Sequence, residues 1–168
     1  MATPNEHLLD WLRDAYAMEQ HAESMLKAQA SRLEHYPALR QRIEQHIDET
    51  RSQQKLLEAR LDSLGSGPST IKNLAARMAA FGQAVGGMTT SDEVVKGAMA
   101  GYVFENIEIA AYTELIAAAR VAGDTETLRC CEQILPQEIA MSRWLLAHLP
   151  EVVTAYLERS ATDQEARR

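Results

Sequence analysis

Three features of the sequence predict an all-α protein: its composition, its hydrophobic periodicity and the spacing of its helix breakers. Aromatic residues make up only 5% of the 168-residue chain, and hydrophobic residues make up 46%; such a composition, rich in Ala, Leu and Glu, favours helix over sheet. Apolar side chains recur every three or four residues through four long stretches, and proline or glycine separates these stretches. We therefore expect a single domain over residues 1–168, built as an antiparallel four-helix bundle.

The first two predicted helices form a hairpin. Thr3 is a suitable N-cap and Pro4 fits the first helical position, so helix 1 is expected over about 5–34. Pro37 opens the second helix, expected over about 37–64 and ended by Gly65. Each helix carries one glutamate that does not belong to its charged, solvent-facing side. Glu19 lies within the apolar line of helix 1, and Glu49 lies at the edge of the apolar line of helix 2.

A long crossover and a second hairpin complete the predicted bundle. The crossover carries a short helix over about 70–85, which Gly86 and Gly87 end. The next helix is expected over about 92–122, and Asp124 caps a fourth helix over about 124–148. Pro150 is then expected to start a short fifth helix over about 151–159.

The net charge and the N-terminal residues argue against several classes of partner. The net charge of −7 argues against nucleic acid or an anionic membrane as the main partner. The N-terminal residues lack a basic segment followed by an apolar one, and no apolar run is long enough to span a bilayer. We therefore expect a cytoplasmic protein. The adjacent cysteines Cys130 and Cys131 suit neither a disulfide framework nor a zinc site.

The stretch 99–119, MAGYVFENIEIAAYTELIAAA, carries the first indication of a functional site. Glu105 and Glu108 lie one turn apart on the apolar face of the predicted helix, whereas Glu114 points the opposite way. An ionised carboxylate buried in an apolar interior costs several kcal/mol unless it is paired, protonated or bound to a cation. The stretch contains no basic residue, so the sequence indicates a missing positive charge.

The positions of four glutamates along their helices predict that their carboxyl groups come together. Glu49 follows Glu19 by 30 residues (49 − 19), and Glu138 follows Glu108 by 30 residues (138 − 108). In two antiparallel hairpins, each pair then lies at one level, roughly 20 Å from its turn at 1.5 Å per residue. Inward-facing glutamates from four helices at one level are the arrangement of a carboxylate-bridged dinuclear metal site.

The chain resembles the ferritin-like superfamily, and within it the bacterial stress-associated YciE/YciF group. The resemblance runs through HLLDWLRDAYAMEQHAESML, YPALRQRIEQHIDET, SDEVVKGAMAGYVFENIEIAAYTELIAAA and QEIAMSRWL. It implies a ferritin-like four-helix bundle with a crossover helix and a short fifth helix, a homodimer and an iron-type site. By the family pattern, Glu19 and Glu49 serve the first half of the site, Glu105 or Glu108 the third helix, and Glu138 the fourth.

The chain departs from the di-iron members of the superfamily in its histidines. The usual Glu-x-x-His pairs are absent, because Ser52 and Met141 stand three residues after Glu49 and Glu138. Three residues are candidates to complete the coordination: His46 one turn before Glu49, Gln53 one turn after it, and the extra glutamate on the third helix. A carboxylate-rich site with little nitrogen favours hard divalent ions, so we expect two ions, iron or manganese first, with magnesium or calcium as alternatives.

Three functions remain open from the sequence. The first is a metal-binding stress protein that holds ions without turnover. The second is a di-metal oxidoreductase or peroxidase-type enzyme, which the missing histidines disfavour. The third is a non-catalytic dimeric scaffold with a vestigial site, which the full set of glutamates disfavours. The apolar faces left over after one bundle is closed predict a homodimer rather than a cage.

Overall fold

A computed structural model describes residues 2–66, 92–162 and 166 of the chain. Within that part, the secondary structure is entirely helical and consists of four helices: α1, Pro4–Ala30; α2, Pro37–Ser63; α3, Glu93–Ala122; and α4, Thr125–Ala161. The predicted crossover helix over 70–85 lies outside the described residues. The four helices described are each too polar or too short in apolar run to cross a membrane.

Packing contacts and two ion pairs define the bundle. α1 packs against α2 and α3, and α4 packs against α3 and α2. Arg32, just after α1, bonds Glu93 at the start of α3 at 2.9 Å, and Arg60 near the end of α2 bonds Asp124 after α3 at 2.6 Å. The two middle helices α2 and α3 therefore run in the same direction, and α1 and α4 run opposite to them, as a long crossover between two hairpins requires.

Local signals in the sequence set the helix ends. The Thr3 hydroxyl accepts from the Glu6 amide at 3.3 Å, and the Glu6 carboxylate accepts from the Thr3 amide at 2.6 Å, so the predicted cap is a full capping box. Gly123 ends α3 in the left-handed region, at φ 71°. Asp124 accepts from the Thr127 amide at 3.0 Å and caps α4, as predicted.

Two predicted boundaries are wrong. Helix 1 ends at Ala30 rather than near residue 34, because the following turns bury Leu33 and Tyr36 in the end of the bundle. The fifth helix is not separate, since α4 continues through Pro150 to Ala161. Pro150 removes the helical donor to the carbonyl of Leu146, but α4 continues past it, so the loss of this one hydrogen bond does not end the helix.

Among the described residues the core has two large apolar clusters at different heights in the bundle, and a small third one of Met18, Ala22 and Phe104 between them. One lies toward the α3–α4 turn and includes Leu12, Leu57 and Ile134. The other lies toward the α1–α2 turn and includes Leu26, Ile43 and Met141. Along every helix, the residues between these two clusters contribute polar side chains to the interior.

Candidate metal centre

A layer of seven buried polar side chains separates the two apolar clusters, and we call it the acid layer. All four helices contribute to it, and each member is at most 1% exposed: Glu19 from α1; His46, Thr50 and Gln53 from α2; Glu105 and Glu108 from α3; Glu138 from α4. The prediction that Glu105 and Glu108 share the buried face of their helix is confirmed, and Glu114 is exposed, as expected.

The centre of the acid layer brings four potential ligands together. His46, Glu105, Glu108 and Glu138 each offer one nitrogen or oxygen atom, and these atoms all lie within 4.8 Å of one another. His46 Nε2 lies 3.1 Å from Glu105 Oε2 and 3.3 Å from Glu138 Oε2. These are close charge contacts, but the geometry of a hydrogen bond is met at neither oxygen.

Most members of the layer carry a polar atom without a hydrogen-bond partner in the described structure. Both oxygens of Glu108 are in this state. So are one oxygen each of several neighbours: Glu19 Oε2, Thr50 Oγ1, Gln53 Oε1, Glu105 Oε2 and Glu138 Oε2. A buried acceptor without a donor costs roughly 1–3 kcal/mol. Divalent cations satisfy several such oxygens at once, so the donor set fits metal ions.

The ring of His46 is held from its other side by Glu49. Nδ1 of His46 lies 2.6 Å from Glu49 Oε2. Partial burial acts to raise the pKa of Glu49. The contact with His46 and the charge of Arg42 outweigh this effect, so the pKa is lowered. Because an ionised carboxylate only accepts, Nδ1 carries the hydrogen. In the neutral ring Nε2 then has its lone pair free and directed at the acid layer, as a metal ligand requires.

Glu49 itself does not join the acid layer, which departs from the predicted convergence of Glu19, Glu49, Glu108 and Glu138. Its side chain is 22% exposed, and it bonds Arg42 at 3.2 Å and Gln45 at 2.9 Å. The inward line of α2 runs through His46, Thr50 and Gln53, which leaves Glu49 at the rim, where Arg42 neutralises it. The fourth inward carboxylate is instead Glu105.

Hydrogen bonds fix the side chains of Glu19 and Gln53 and leave one oxygen of each without a partner. Tyr112 is fully buried and donates its hydroxyl to Glu19 Oε1 at 2.5 Å. The Gln53 side-chain nitrogen donates to Glu138 Oε1 and to Gln137 Oε1, the latter at 2.8 Å. The predicted site residues His46 and Gln53 therefore do face the carboxylates.

The acid layer is strongly perturbed electrostatically. Burial, with the charges of neighbouring glutamates, raises the pKa of Glu19 and of Glu108 well above the usual range. Burial also raises the pKa of Glu105, to about 7, with the His46 contact opposing it. For His46, burial acts to lower the pKa, but contacts with Glu105, Glu138 and Glu49 raise it to about 12. Without a metal, protons therefore occupy the layer.

Comparison with known proteins places this chain in a family. The family model described as "Domain of unknown function (DUF892)" matches residues 3–158. The chain belongs to the DUF892 family. A crystal structure of a protein from Xanthomonas campestris pv. campestris is similar to it, with 43% identity over 95% of this chain and 99% of that one and a TM-score of 0.79.

Two more distant structures share the fold of this DUF892 member. The stress protein YciF of E. coli is 20% identical, covers 92% of this chain and 99% of its own, and has a TM-score of 0.71. A dodecameric thioferritin of Bacteroides fragilis, a bacterioferritin-related protein, is 18% identical over 92% and 90%, with a TM-score of 0.68. The predicted ferritin-like fold and the resemblance to the YciE/YciF group are confirmed.

Arg42 and Gln137 are two residues of this DUF892 member that sequence reasoning missed. Arg42 holds Glu49, and Gln137 accepts from Gln53. Arg42 precedes Glu49 by seven residues (49 − 42), two helical turns on the same face. That spacing was a usable signal for Arg42, whereas the Gln137 contact joins two helices and has no sequence signature.

Proposed function

We propose that this protein binds divalent metal ions, iron or manganese, at a dinuclear centre in the acid layer. The observation that supports it most is a fully buried cluster from three helices, in which His46, Glu105, Glu108 and Glu138 each place one ligand atom within 4.8 Å of the others. Each of the three carboxylates in it has an oxygen without a hydrogen-bond partner. Imidazole and carboxylate together suit iron and manganese. The resemblance to bacterial stress-associated proteins supports a role in a stress response.

The charge balance of the acid layer favours two divalent ions rather than one. Four carboxylates face it, those of Glu19, Glu105, Glu108 and Glu138, and when ionised they carry four negative charges. His46 and Gln53 contribute neutral ligand atoms once the metal is bound. Two divalent cations neutralise the set, whereas one would leave two carboxylates buried with uncompensated charge or still protonated.

Glu49 acts in this proposal by orienting His46 rather than by binding metal. A histidine that binds a metal usually donates its other ring N–H to a carboxylate, which fixes the tautomer. The contact between Nδ1 and Glu49 at 2.6 Å is of this kind. Arg42 in turn donates a hydrogen bond to Glu49, which lies at the rim of the bundle and is partly exposed.

The metal content of protein purified without chelator tests the proposal. We expect nearly two equivalents of iron or manganese per chain in the natural protein, and a clear loss in Glu138→Gln. The matched control is Glu114→Gln, which removes the same charge from an exposed position on α3 and should retain the metal. Natural protein without metal that also fails to take up added Mn²⁺ or Fe²⁺ would refute the proposal.

We favour metal holding over turnover, because the acid layer has one imidazole where oxygen-activating di-iron sites of this fold usually have two. A peroxide-consumption assay on metal-loaded protein distinguishes the two functions. Consumption that is fast, saturable and lost in Glu138→Gln would establish the peroxidase-type alternative. Consumption no faster than that of the free metal ion supports metal holding.

The protein is also proposed to be a homodimer. On the second half of α4, one face carries Leu146, Val153 and Leu157, which are 53%, 36% and 59% exposed. Light scattering should report a dimer, and Leu146→Lys with Leu157→Lys should yield a monomer. Val121→Lys is a suitable control, since Val121 is 76% exposed at the other end of the bundle. A monomeric natural protein, or a large shell, would contradict this assignment.

A further inference from the structure

We infer that the acid layer holds two chemically unequal metal positions: a nitrogen-containing one beside His46 and an all-oxygen one beside Gln53. This inference rests on the proposed metal-binding function and adds to it which ligands belong to which ion. It predicts that the two ions bind with different affinity and different metal selectivity.

The register of α2 and α3 gives the acid layer two distinct ends. His46 and Gln53 are seven residues apart (53 − 46), as are Glu105 and Tyr112 (112 − 105). Seven residues correspond to two turns, or roughly 10 Å of helix. The two helices run in the same direction, so Glu105 lies at the His46 end, and Tyr112 lies at the Gln53 end.

The His46 end offers one nitrogen and one carboxylate, that of Glu105, which would serve this metal position alone. His46 Nε2 lies 3.1 Å from Glu105 Oε2, and neither atom has a hydrogen-bond partner. Glu49 fixes the ring from outside. A cation between these two atoms would bind the imidazole in place of a proton.

The Gln53 end offers only oxygen. Glu19 lies at this end, because its carboxylate accepts from Tyr112 and its backbone carbonyl accepts from the Gln54 side chain at 3.1 Å. The free atoms here are Glu19 Oε2 and Gln53 Oε1, both on fully buried side chains and both without a partner. Gln53 Nε2 already donates to two acceptors, so its amide oxygen is the atom left for a cation.

Two glutamates are placed to serve both positions. Glu138 directs Oε2 at His46, at 3.3 Å, while its Oε1 accepts from Gln53. Its two oxygens therefore face opposite ends of the layer. Glu108 lies between Glu105 and Tyr112 on α3, and both of its oxygens are unpartnered. Carboxylates that bridge a metal pair use their two oxygens in this way.

The two donor sets predict different selectivity. A site with imidazole binds first-row transition ions such as Fe²⁺ or Mn²⁺ in preference to Mg²⁺. A site made of carboxylates and an amide oxygen accepts Mg²⁺, Ca²⁺ and Mn²⁺ with less discrimination. Under metal-limited conditions, the His46 position should therefore fill first, and Mg²⁺ should compete mainly for the Gln53 position.

Calorimetric titration of chelator-treated protein with Mn²⁺ tests this directly. Two binding events are expected, with dissociation constants at least about tenfold apart, a difference of the size that changes in ligand environment produce. Millimolar Mg²⁺ should suppress the weaker event and spare the tighter one. Electron paramagnetic resonance should show coupled Mn²⁺ pairs without Mg²⁺, and isolated Mn²⁺ in its presence.

Substitutions at the two ends separate the positions. His46→Gln should weaken the tighter event by about 10–100-fold, whereas Glu19→Gln should weaken the other event. Glu114→Gln is the control for loss of a glutamate charge and should change neither. The Mg²⁺ competition on the natural protein gives the same answer should a variant fail to fold.

The outcomes distinguish this inference from the function on which it rests. Two events of equal affinity, equal Mg²⁺ sensitivity of both, or a single event would overturn the unequal pair while leaving metal binding established. No bound Mn²⁺ by calorimetry and by resonance would overturn the proposed function as well. Selective loss of one event by Mg²⁺, and of each event by its own variant, would support the inference.

Discussion

Glu108 is fully buried, and neither of its carboxylate oxygens has a hydrogen-bond partner. Burial raises its pKa well above the usual range. Burying this side chain therefore lowers the stability of the metal-free protein near neutral pH. Even buried ion pairs can often be replaced by apolar residues of similar volume with no loss of stability or with a gain of about 1–4 kcal/mol, and Glu108 lacks the partner that such a pair provides. At the scale of this residue, stability and the proposed function therefore conflict.

Glu108→Met is predicted to raise the free energy of unfolding of the metal-free protein and to abolish stabilisation by added Mn²⁺. An increase of about 1–3 kcal/mol is expected near neutral pH, measured by denaturant unfolding in chelator. Glu114→Met, on the exposed side of the same helix, should change stability by less than about 0.5 kcal/mol. A destabilised Glu108→Met variant that still responds to Mn²⁺ would show that Glu108 is an ordinary structural residue.

Glu49→Gln separates an orienting role from a coordinating one. The amide cannot accept from His46 Nδ1 as strongly as a carboxylate does, so metal affinity should fall by about 10–100-fold. The number of ions bound at saturation should stay at two, because Glu49 lies outside the acid layer. Calorimetry measures both quantities, and a drop to one ion would instead make Glu49 a ligand.

At this scale the sequence predicted burial better than contacts. The apolar periodicity indicated that Glu19, Glu105, Glu108 and Glu138 face the interior, and all four are buried. It did not resolve α2, where His46, Glu49 and Gln53 lie on adjacent turns at the edge of the apolar line. Arg42 decides the outcome there, because its charge holds Glu49 at the rim and leaves the inward positions to the other two.

At the scale of the helices, Asp124 is the N-cap of α4. Its carboxylate accepts from the Thr127 amide at 3.0 Å, from the Thr127 hydroxyl at 2.6 Å and from Arg60 at 2.6 Å. The last of these contacts ties the end of α2 to the α3–α4 turn. These bonds outweigh partial burial and lower the pKa of Asp124.

Asp124→Ala is predicted to destabilise the protein by about 2 kcal/mol, since it removes an N-cap and a partly buried ion pair together. Asp62→Ala, an exposed acid near the end of α2, is the control and should have little effect. Thermal and denaturant unfolding measure both variants. An Asp124→Ala variant as stable as the natural protein would mean that water replaces all three contacts.

The helix boundaries show why element types were easier to predict than element ends. Long periodic stretches and their caps were sufficient for α1 to α4. Pro150 misled the prediction, because a proline stops a helix only where the freed carbonyl or the ring meets an obstacle. Whether that carbonyl faces solvent depends on packing, which the local sequence does not show.

For the whole molecule, the acid layer predicts an unusual pH dependence. Glu105, with a pKa near 7, as well as Glu19, Glu108 and His46, all have raised folded-state pKa values. Each contributes stability that is fully present below its unfolded pKa and is lost as the pH rises through the folded value. The carboxylates with lowered values, such as Glu23 with a pKa of about 2, have completed titration by about pH 5.5.

Metal-free protein should therefore melt at a lower temperature at about pH 8 than at about pH 5.5. Added Mn²⁺ should reverse the order, since the metal displaces protons and binds more tightly as the ligands ionise. Calorimetric melting in chelator and in Mn²⁺ at both pH values measures this. Equal melting temperatures in chelator would mean that the acid layer is solvated rather than buried.

Diffraction from crystals soaked in Mn²⁺, with anomalous differences collected at the manganese edge, tests the central claim most directly. The proposed centre predicts two strong peaks inside the bundle, both beside Glu108 and Glu138. One should lie at coordinating distance from His46 Nε2, and the other at coordinating distance from Glu19 and Gln53. Peaks confined to exposed carboxylates, or an interior without anomalous signal at saturating Mn²⁺, would contradict it.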